Sequence, residues 1–254
     1  MISIDLTGKT ALITGASGEL GRVMARTLAQ SGADIIIHYF SNKTKAESVQ
    51  QEAQQLGRKA YIISADISKL DSVLRMRDTL QSEFKLPEIV IANAVTQYSW
   101  TTVLEQDPSD YVDQFNSTVL QAVHLSKAFV PYMIEQQGGR IVAINTECSM
   151  QNFPTQSAYV AGKRGMDGVY RVLAKEIGEH QITVNQVAPG WTISERDREN
   201  NTEHSESYEQ SVPLKRRGTD QEIANVVAFL ASDLASFITG AYVPVSGGNV
   251  MPSI

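Results

Sequence analysis

With a single cysteine, Cys148, the 254-residue chain has no internal disulfide framework and no multi-cysteine metal site, and its four scattered histidines do not supply the missing ligands. A reducing cytoplasm and no bound metal are therefore expected. Positive charge is short as well: 22 Lys and Arg against 28 Asp and Glu leave a formal −6, which offers no general attraction to nucleic acid or to anionic lipid. No apolar run approaches the roughly 20 residues that cross a bilayer. The opening Met1-Ile-Ser-Ile-Asp-Leu6 lacks the basic flank and apolar stretch of a signal peptide. Linkers rich in Pro, Gly or Ser and repeats of solenoid length are also missing, so residues 1–254 read as one domain. What is there is ordinary for a chain that buries one sizeable core, with 42% hydrophobic and 20% charged residues.

Short β-branched runs alternate with longer amphipathic segments, the pattern of βαβ units that build a parallel sheet. About seven strands are expected, at Thr10–Thr14, Asp34–His38, Ala60–Ser64, Glu88–Ala92, Arg140–Ile144, Ile182–Asn185 and Tyr242–Val245. Helices are expected over Thr44–Leu56, Leu70–Phe84, Tyr111–Gln136 and Ala158–Ile177, and Thr219-Asp-Gln-Glu222 forms a capping box that opens another. The polar stretch Ser194–Gln210 has no periodicity, and its place after Pro189-Gly190 makes a mobile lid over about 191–212 the expectation.

Thr14-Gly-Ala-Ser-Gly-Glu-Leu-Gly21 lies between the first strand and the first helix. There glycines permit a tight turn, and backbone N–H groups can approach a pyrophosphate at the helix N-terminus. Further along, Tyr159 and Lys163 stand four apart and share one helical face. The segments Gly139-Arg-Ile-Val-Ala-Ile-Asn-Thr-Glu147, Asn185-Gln-Val-Ala-Pro-Gly190, Ile238-Thr-Gly240 and Val245-Ser-Gly-Gly248 flank that pair in order. On these motifs the chain resembles the classical short-chain dehydrogenase/reductase family over nearly its whole length. By eye it is nearest to the members that act as 3-oxoacyl-carrier-protein reductases. The resemblance implies an α/β fold, a single-domain Rossmann-type doubly wound parallel sheet flanked by helices.

Several positions depart from the family pattern, among them Ala92, which stands for the first asparagine after the fourth strand. Glu19 stands where the middle glycine of the turn is usual, with Gly18 one place early, and is expected to point away from a bound phosphate. Val95 replaces the last glycine of the stretch after the fourth strand, and Ser246 lies in an altered C-terminal motif. The Gly15, Gly18, Gly21 spacing is that of the extended epimerase and dehydratase branch, but this chain is too short for the substrate region of that branch.

The resemblance carries catalytic roles to Asn116, Thr146, Tyr159 and Lys163, with Thr146 taking the place of the usual serine while keeping its hydroxyl. A tyrosine hydroxyl, ordinarily near pKa 10, becomes an acid–base catalyst when a cation favours its ionised form. Lys163 and an oxidised nicotinamide ring would supply that charge, Thr146 would hold the reacting oxygen, and Asn116 would order a water path from the lysine. Cofactor contacts are expected from Gly15, Ser17, Gly18, Leu20, Gly21, Tyr39, Ser41, Asn42, Asp66, Ile67, Asn93, Ala94, Tyr159, Lys163, Pro189, Gly190 and Thr192. The register puts the ribose-binding position at Tyr39, and the following Phe40-Ser-Asn-Lys43 contains no carboxylate to repel a 2′-phosphate. NADP(H) is accordingly expected over NAD(H).

The expected reaction interconverts a carbonyl and a secondary alcohol on a small free substrate. Gln97, Tyr98, Trp100, Met150, Gln151, Phe153 and Trp191 are the expected pocket residues. A carrier-linked 3-oxoacyl substrate is the alternative, but the places where relatives dock an acidic carrier read Gln137 and His180 amid Glu135, Glu176 and Glu179. An inactive cofactor-binding regulator is the alternative of another class. A homotetramer formed through the helices that begin near Tyr111 and Ala158 is implied by the resemblance alone.

Overall fold

The computed structural model describes residues 3–252. In chain order the elements open with β1 (Thr10–Ile13), α1 (Glu19–Gln30), β2 (Asp34–Tyr39), α2 (Lys43–Gln55), β3 (Ala60–Ser64), α3 (Leu70–Glu83) and β4 (Ile89–Ala92). Then come α4 (Pro108–Phe115), a π-helical turn at Asn116–Leu120, α5 (Gln121–Glu135), β5 (Gly139–Ile144), the short α6 (Cys148–Gln151), α7 (Ser157–Ile177) and β6 (Ile182–Pro189). The remainder is β7 (Thr192–Ile193), α8 (Glu195–Glu199), α9 (Glu206–Ser211), β8 (Gly218–Thr219), α10 (Asp220–Ala231) and β9 (Tyr242–Val245).

The main sheet runs β3-β2-β1-β4-β5-β6-β9, and every pairing in it is parallel. Its strands read as continuous apolar runs because both faces are covered. Ile13, Ile35, Ile37, Ile91 and Val142 face a core shared with Met24 and Leu28 of α1 and Ile223 and Val227 of α10. Their neighbours Leu12, Ile36, Val90 and Ile141 face the opposite core, with Val73 and Leu80 of α3, Phe129 of α5 and Met166 and Tyr170 of α7. Alternation along each strand thus serves two buried layers.

From β1 the chain winds outward to β3, then crosses back so that β4 lies on the other side of β1. That reversal opens a crevice at the carboxyl ends of β1 and β4, where doubly wound sheets bind ligands. The Gly15–Gly21 turn follows β1 at this point and Asn93-Ala94 follows β4. Strand β6 extends four residues beyond the expected Asn185, because it runs between β5 and β9 and is buried through Ala188. The helix expected over Tyr111–Gln136 is interrupted by the π turn at Asn116, and such turns cluster at functional sites.

Candidate active site

A groove of about 850 Å³ runs over the β1–β4 crevice. It passes from Phe40, Ser41 and Asn42 at the end of β2, across the glycine turn, to Asn93–Gln97 and Asn116. Gly15 has φ of +63°, a left-handed conformation that favours glycine, and a Cβ on Gly21 would run into the Gly15 carbonyl. The turn is braced from below. Asn93 Nδ2 donates to the Thr14 carbonyl at 2.9 Å, and the Thr14 hydroxyl accepts from the Asn93 and Ala94 amides at 2.9 and 3.0 Å. The same hydroxyl donates to Gln121 Oε1 at 2.8 Å.

The Gly15 N–H donates to His38 Nδ1 at 3.1 Å, which assigns the proton of this ring to Nε2, 3.0 Å from the Ala65 carbonyl. Burial pushes the His38 pKa down to about 4, so the ring is neutral and serves as an acceptor for the turn. The first and last glycines and the brace together form a tight turn leading into α1, where backbone N–H groups at a helix N-terminus can receive a phosphate.

Beyond the groove, and sharing Thr96 and Gln97 with it, lies a pocket of about 650 Å³ lined in part by Thr146, Tyr159, Trp100, Phe153 and Trp191. Helix α7 carries Tyr159 and Lys163 on one face, and Lys163 Nζ lies 5.7 Å from the centre of the Tyr159 ring. Lys163 is buried and donates to the Ile144 carbonyl at 2.5 Å, which occupies one of the three donors an ammonium has. Burial lowers its pKa to about 7. Burial, with Cys148 nearby, also holds the Tyr159 hydroxyl above the ordinary tyrosine range, while a hydrogen bond from the Thr146 hydroxyl acts in the opposite sense. Thr146 is itself held by its backbone: its N–H donates to Asn145 Oδ1 at 2.9 Å, and its carbonyl accepts from the Tyr242 hydroxyl at 2.5 Å. Tyr98 fixes the start of α7 by accepting the Tyr159 N–H at 2.9 Å.

The segment after β6 is folded into β7, α8 and α9 and lines the pocket through Trp191, Thr192, Ser207, Tyr208 and Ser211. Ser194 and Asp197 form a capping box that starts α8, a signal present in the sequence as Ser-x-x-Asp. Arg217, buried at the base, donates to the carbonyls of Thr202, Glu203 and Thr192 at 2.8, 3.1 and 3.0 Å and pairs with Asp197 at 3.1 Å. Its guanidinium also lies 4.5 Å from the Trp191 ring centre. Nothing in the sequence marks this arginine, because its partners lie 14 to 25 residues away in β7, α8 and the loop after it, and only the fold brings them near.

Most of the expected cofactor positions line the groove: Gly15, Ser17, Gly18, Leu20, Gly21, Ser41, Asn42, Asp66, Ile67, Asn93 and Ala94, with Asn116 at its inner end. Tyr39 does not. It ends β2 with its side chain packed against the apolar core of α1 and α10, and Phe40 takes the exposed place at the groove. Lys43 is also outside, turned along α2 toward Glu47. Pro189 lines neither cavity and uses its carbonyl to accept the Glu147 N–H, whereas Gly190 and Thr192 line the pocket. Of the expected pocket residues, Gln97, Tyr98, Trp100, Phe153 and Trp191 are present. Met150 and Gln151 are not, and Gln151 instead donates to the Asn249 carbonyl. Glu19 turns toward α8, its carboxylate accepting the Arg196 N–H at 3.4 Å. Ser246 is spent on accepting the Val250 N–H. The sequence reading missed Arg196 on the groove and Glu147 and Tyr208 in the pocket.

A parallel sheet with a glycine turn at its switch point and a buried Tyr-Lys pair beside a threonine hydroxyl defines a nucleotide-dependent oxidoreductase of the short-chain type. The chain belongs to that family: the model described as Enoyl-(Acyl carrier protein) reductase matches residues 15–249. It is 35% identical to a 3-oxoacyl-(acyl-carrier-protein) reductase of Staphylococcus epidermidis over 96% of this chain and 99% of the relative. Among solved structures, the promiscuous reductase LugOII, which catalyses keto-reduction at C1 in lugdunomycin biosynthesis, superposes with a TM-score of 0.87. That match has 29% identity and covers 97% of this chain and 99% of the other. A putative gluconate dehydrogenase from Agrobacterium tumefaciens gives a TM-score of 0.91 at 26% identity, covering 99% and 100% of the two chains. The chain is accordingly an NAD(P)-dependent oxidoreductase acting on small molecules. Among the described residues no helix is long and apolar enough to cross a membrane.

Proposed function

We propose that the protein reduces a carbonyl on a small free substrate to a secondary alcohol, or runs the reverse, with Tyr159 as acid and base. The observation that carries this reading is that Tyr159 and Thr146 line the pocket next to the groove, with the buried Lys163, which lines neither cavity, 5.7 Å from the centre of the Tyr159 ring. When bound, NAD(P)H supplies the hydride that adds to the carbonyl carbon. Tyr159 gives its proton to the carbonyl oxygen, Thr146 holds that oxygen in place, and the two remaining donors of a protonated Lys163 hold the nicotinamide ribose. Asn116, at the inner end of the groove, orders water that returns a proton to the lysine. The segment over 191–212 opens to admit substrate and closes to exclude water. The compartment is the cytoplasm, in keeping with the single cysteine.

The preferred cofactor in this reading is NADP(H). The rim beyond β2 presents Phe40, Ser41 and Asn42 with no carboxylate, Asp66 is already engaged by Lys69 at 3.1 Å, and Arg196 adds a positive charge to the groove. A panel of ketones assayed with both reduced nucleotides tests the reading. Expected is turnover of at least one small ketone with a higher kcat/KM for NADPH, and a shift of about tenfold toward NADH in Ser41→Asp, whose carboxylate would repel the 2′-phosphate. Failure of the whole panel refutes the activity, and an NADH advantage in the unaltered protein refutes the preference. The relatives' carrier-linked substrate is the second reading, favoured by the 35% identity, so an acyl-carrier thioester belongs in the same panel.

Assembly is proposed as a homotetramer. Val112 and Phe115 on α4 and Val172 on α7 are about half exposed and would be covered by the same helices of other copies. Light scattering should report four chain masses, and a monomer at all concentrations would refute this.

A further inference from the structure

We infer that the substrate of this pocket carries a positively charged amino group a few atoms from its reacting carbon, an inference that rests on the oxidoreductase reading above. The first observation is the charge of the lining. Thr146, Cys148, Gln156, Tyr159 and the aromatic residues are neutral, and among the described residues no Lys, Arg or His lines the cavity and Glu147 is the one carboxyl that does. Its side chain is 3% exposed overall. Oε1 accepts the Tyr208 hydroxyl at 2.9 Å and Oε2 accepts Asn249 Nδ2 at 3.0 Å. The Trp191 backbone N–H is a third neutral donor, and burial still holds the carboxyl above its usual range because no cation balances it. Three arginines beyond β6 are committed elsewhere: Arg217 pairs with Asp197, Arg198 with Asp220, and Arg196 lies on the cofactor groove. A carboxylate withdrawn from water and left unpaired is costly, and a ligand cation is the partner that relieves it.

The second observation is independent of that carboxyl. Tyr98, Trp100 and Phe153 supply ring surface around the same space, Trp100 and Phe153 being 49% and 43% exposed, while Trp191 already carries the Arg217 guanidinium on its ring. Aromatic faces with a nearby anion make the usual receptor for a substituted ammonium. Trp100 lies over the Tyr159 ring, centroid to centroid 6.1 Å at 26°, which joins this wall to the proton donor. Thr146 and Glu147 are consecutive and line the same pocket, so one small ligand can meet both the hydroxyl and the carboxyl. An anionic substrate meets repulsion here and no cation to receive it. A plain hydrocarbon ketone leaves the carboxyl buried without return.

The test compares three ketones of matched length in the full-length protein with NADPH and with NADH. One is a dimethylamino ketone, one its isostere with carbon in place of nitrogen, and one a keto acid. The amine is expected to exceed its isostere in kcat/KM by about tenfold or more, with the keto acid lowest. In Glu147→Gln the ratio of amine to isostere should collapse toward unity. A merely structural role for Glu147 would lower all the ketones in parallel and leave the ratio intact, and that result overturns the inference. So does an isostere or keto acid that matches the amine in the unaltered protein. If no ketone turns over, the oxidoreductase reading fails by itself, and binding decides the inference instead. Quenching of tryptophan fluorescence should then give the amine a Kd about tenfold or more below that of its isostere, and equal values refute the proposal.

Discussion

Replacing Tyr159 with phenylalanine lowers kcat by about a thousandfold, within the range that positioned acid–base groups contribute, and leaves cofactor affinity nearly unchanged. The reason is local. The hydroxyl is the one atom lost, and the backbone N–H that Tyr98 accepts at 2.9 Å remains to seat the start of α7. The ring also stays, so its stacking on Trp100 and its place beside Lys163 are retained. Steady-state assays with the best ketone of the panel, together with nucleotide titration by fluorescence, check both halves. Activity within about tenfold of the unaltered protein would show that another group transfers the proton.

The second large effect concerns Lys163, which is placed for chemistry at the expense of stability. Lys163→Met lowers kcat/KM by about a hundredfold or more, since the charge that favours ionised Tyr159 is gone. Its effect on folding depends on pH. The lysine keeps its proton in the unfolded chain up to about 10.5, whereas burial lowers the folded value to about 7. Between those values the unfolded state binds one more proton, so the stability of the cofactor-free protein rises with pH through that window. Methionine does not titrate. The stability difference between the unaltered protein and Lys163→Met should therefore move toward the unaltered protein by up to about 1.4 kcal/mol per pH unit from 7 to 10. Denaturant unfolding at several pH values measures this, and a difference that does not change with pH would mean the amine is solvated in the fold.

Burial raises the Tyr159 hydroxyl and lowers the Lys163 amine. A bound oxidised nicotinamide would bring positive charge to the site and favour the phenolate in the oxidative direction.

The sheet was legible in the sequence because its strands are short β-branched runs and helices cover both faces. Ala60–Ser64 and Tyr242–Val245 fall where the pattern puts them, and the capping box at Thr219 starts α10 as read. The Tyr159–Lys163 pair was legible as well: a spacing of four puts both on one helical face, and the motifs that flank it in the family's order single it out. Residues whose role depends on side-chain direction at an element's end were not. Tyr39 and Phe40 are neighbours at the end of β2, where the period-two rule gives way to the turn, and the core claims the first while the groove receives the second.

Periodicity and local turn chemistry in the sequence were therefore enough for the parallel sheet and the glycine turn, and the order of motifs along the chain, through the resemblance it carries, was enough for the tyrosine–lysine pair and the family. Only the tertiary structure decided that His38 braces the Gly15 amide, that Arg217 holds the segment after β6, and that Glu147 meets Tyr208 and Asn249 in a pocket that no cation lines among the described residues. Those contacts join residues 14 to 102 positions apart, and at such separations the position of a partner follows from how the layers pack rather than from any local pattern.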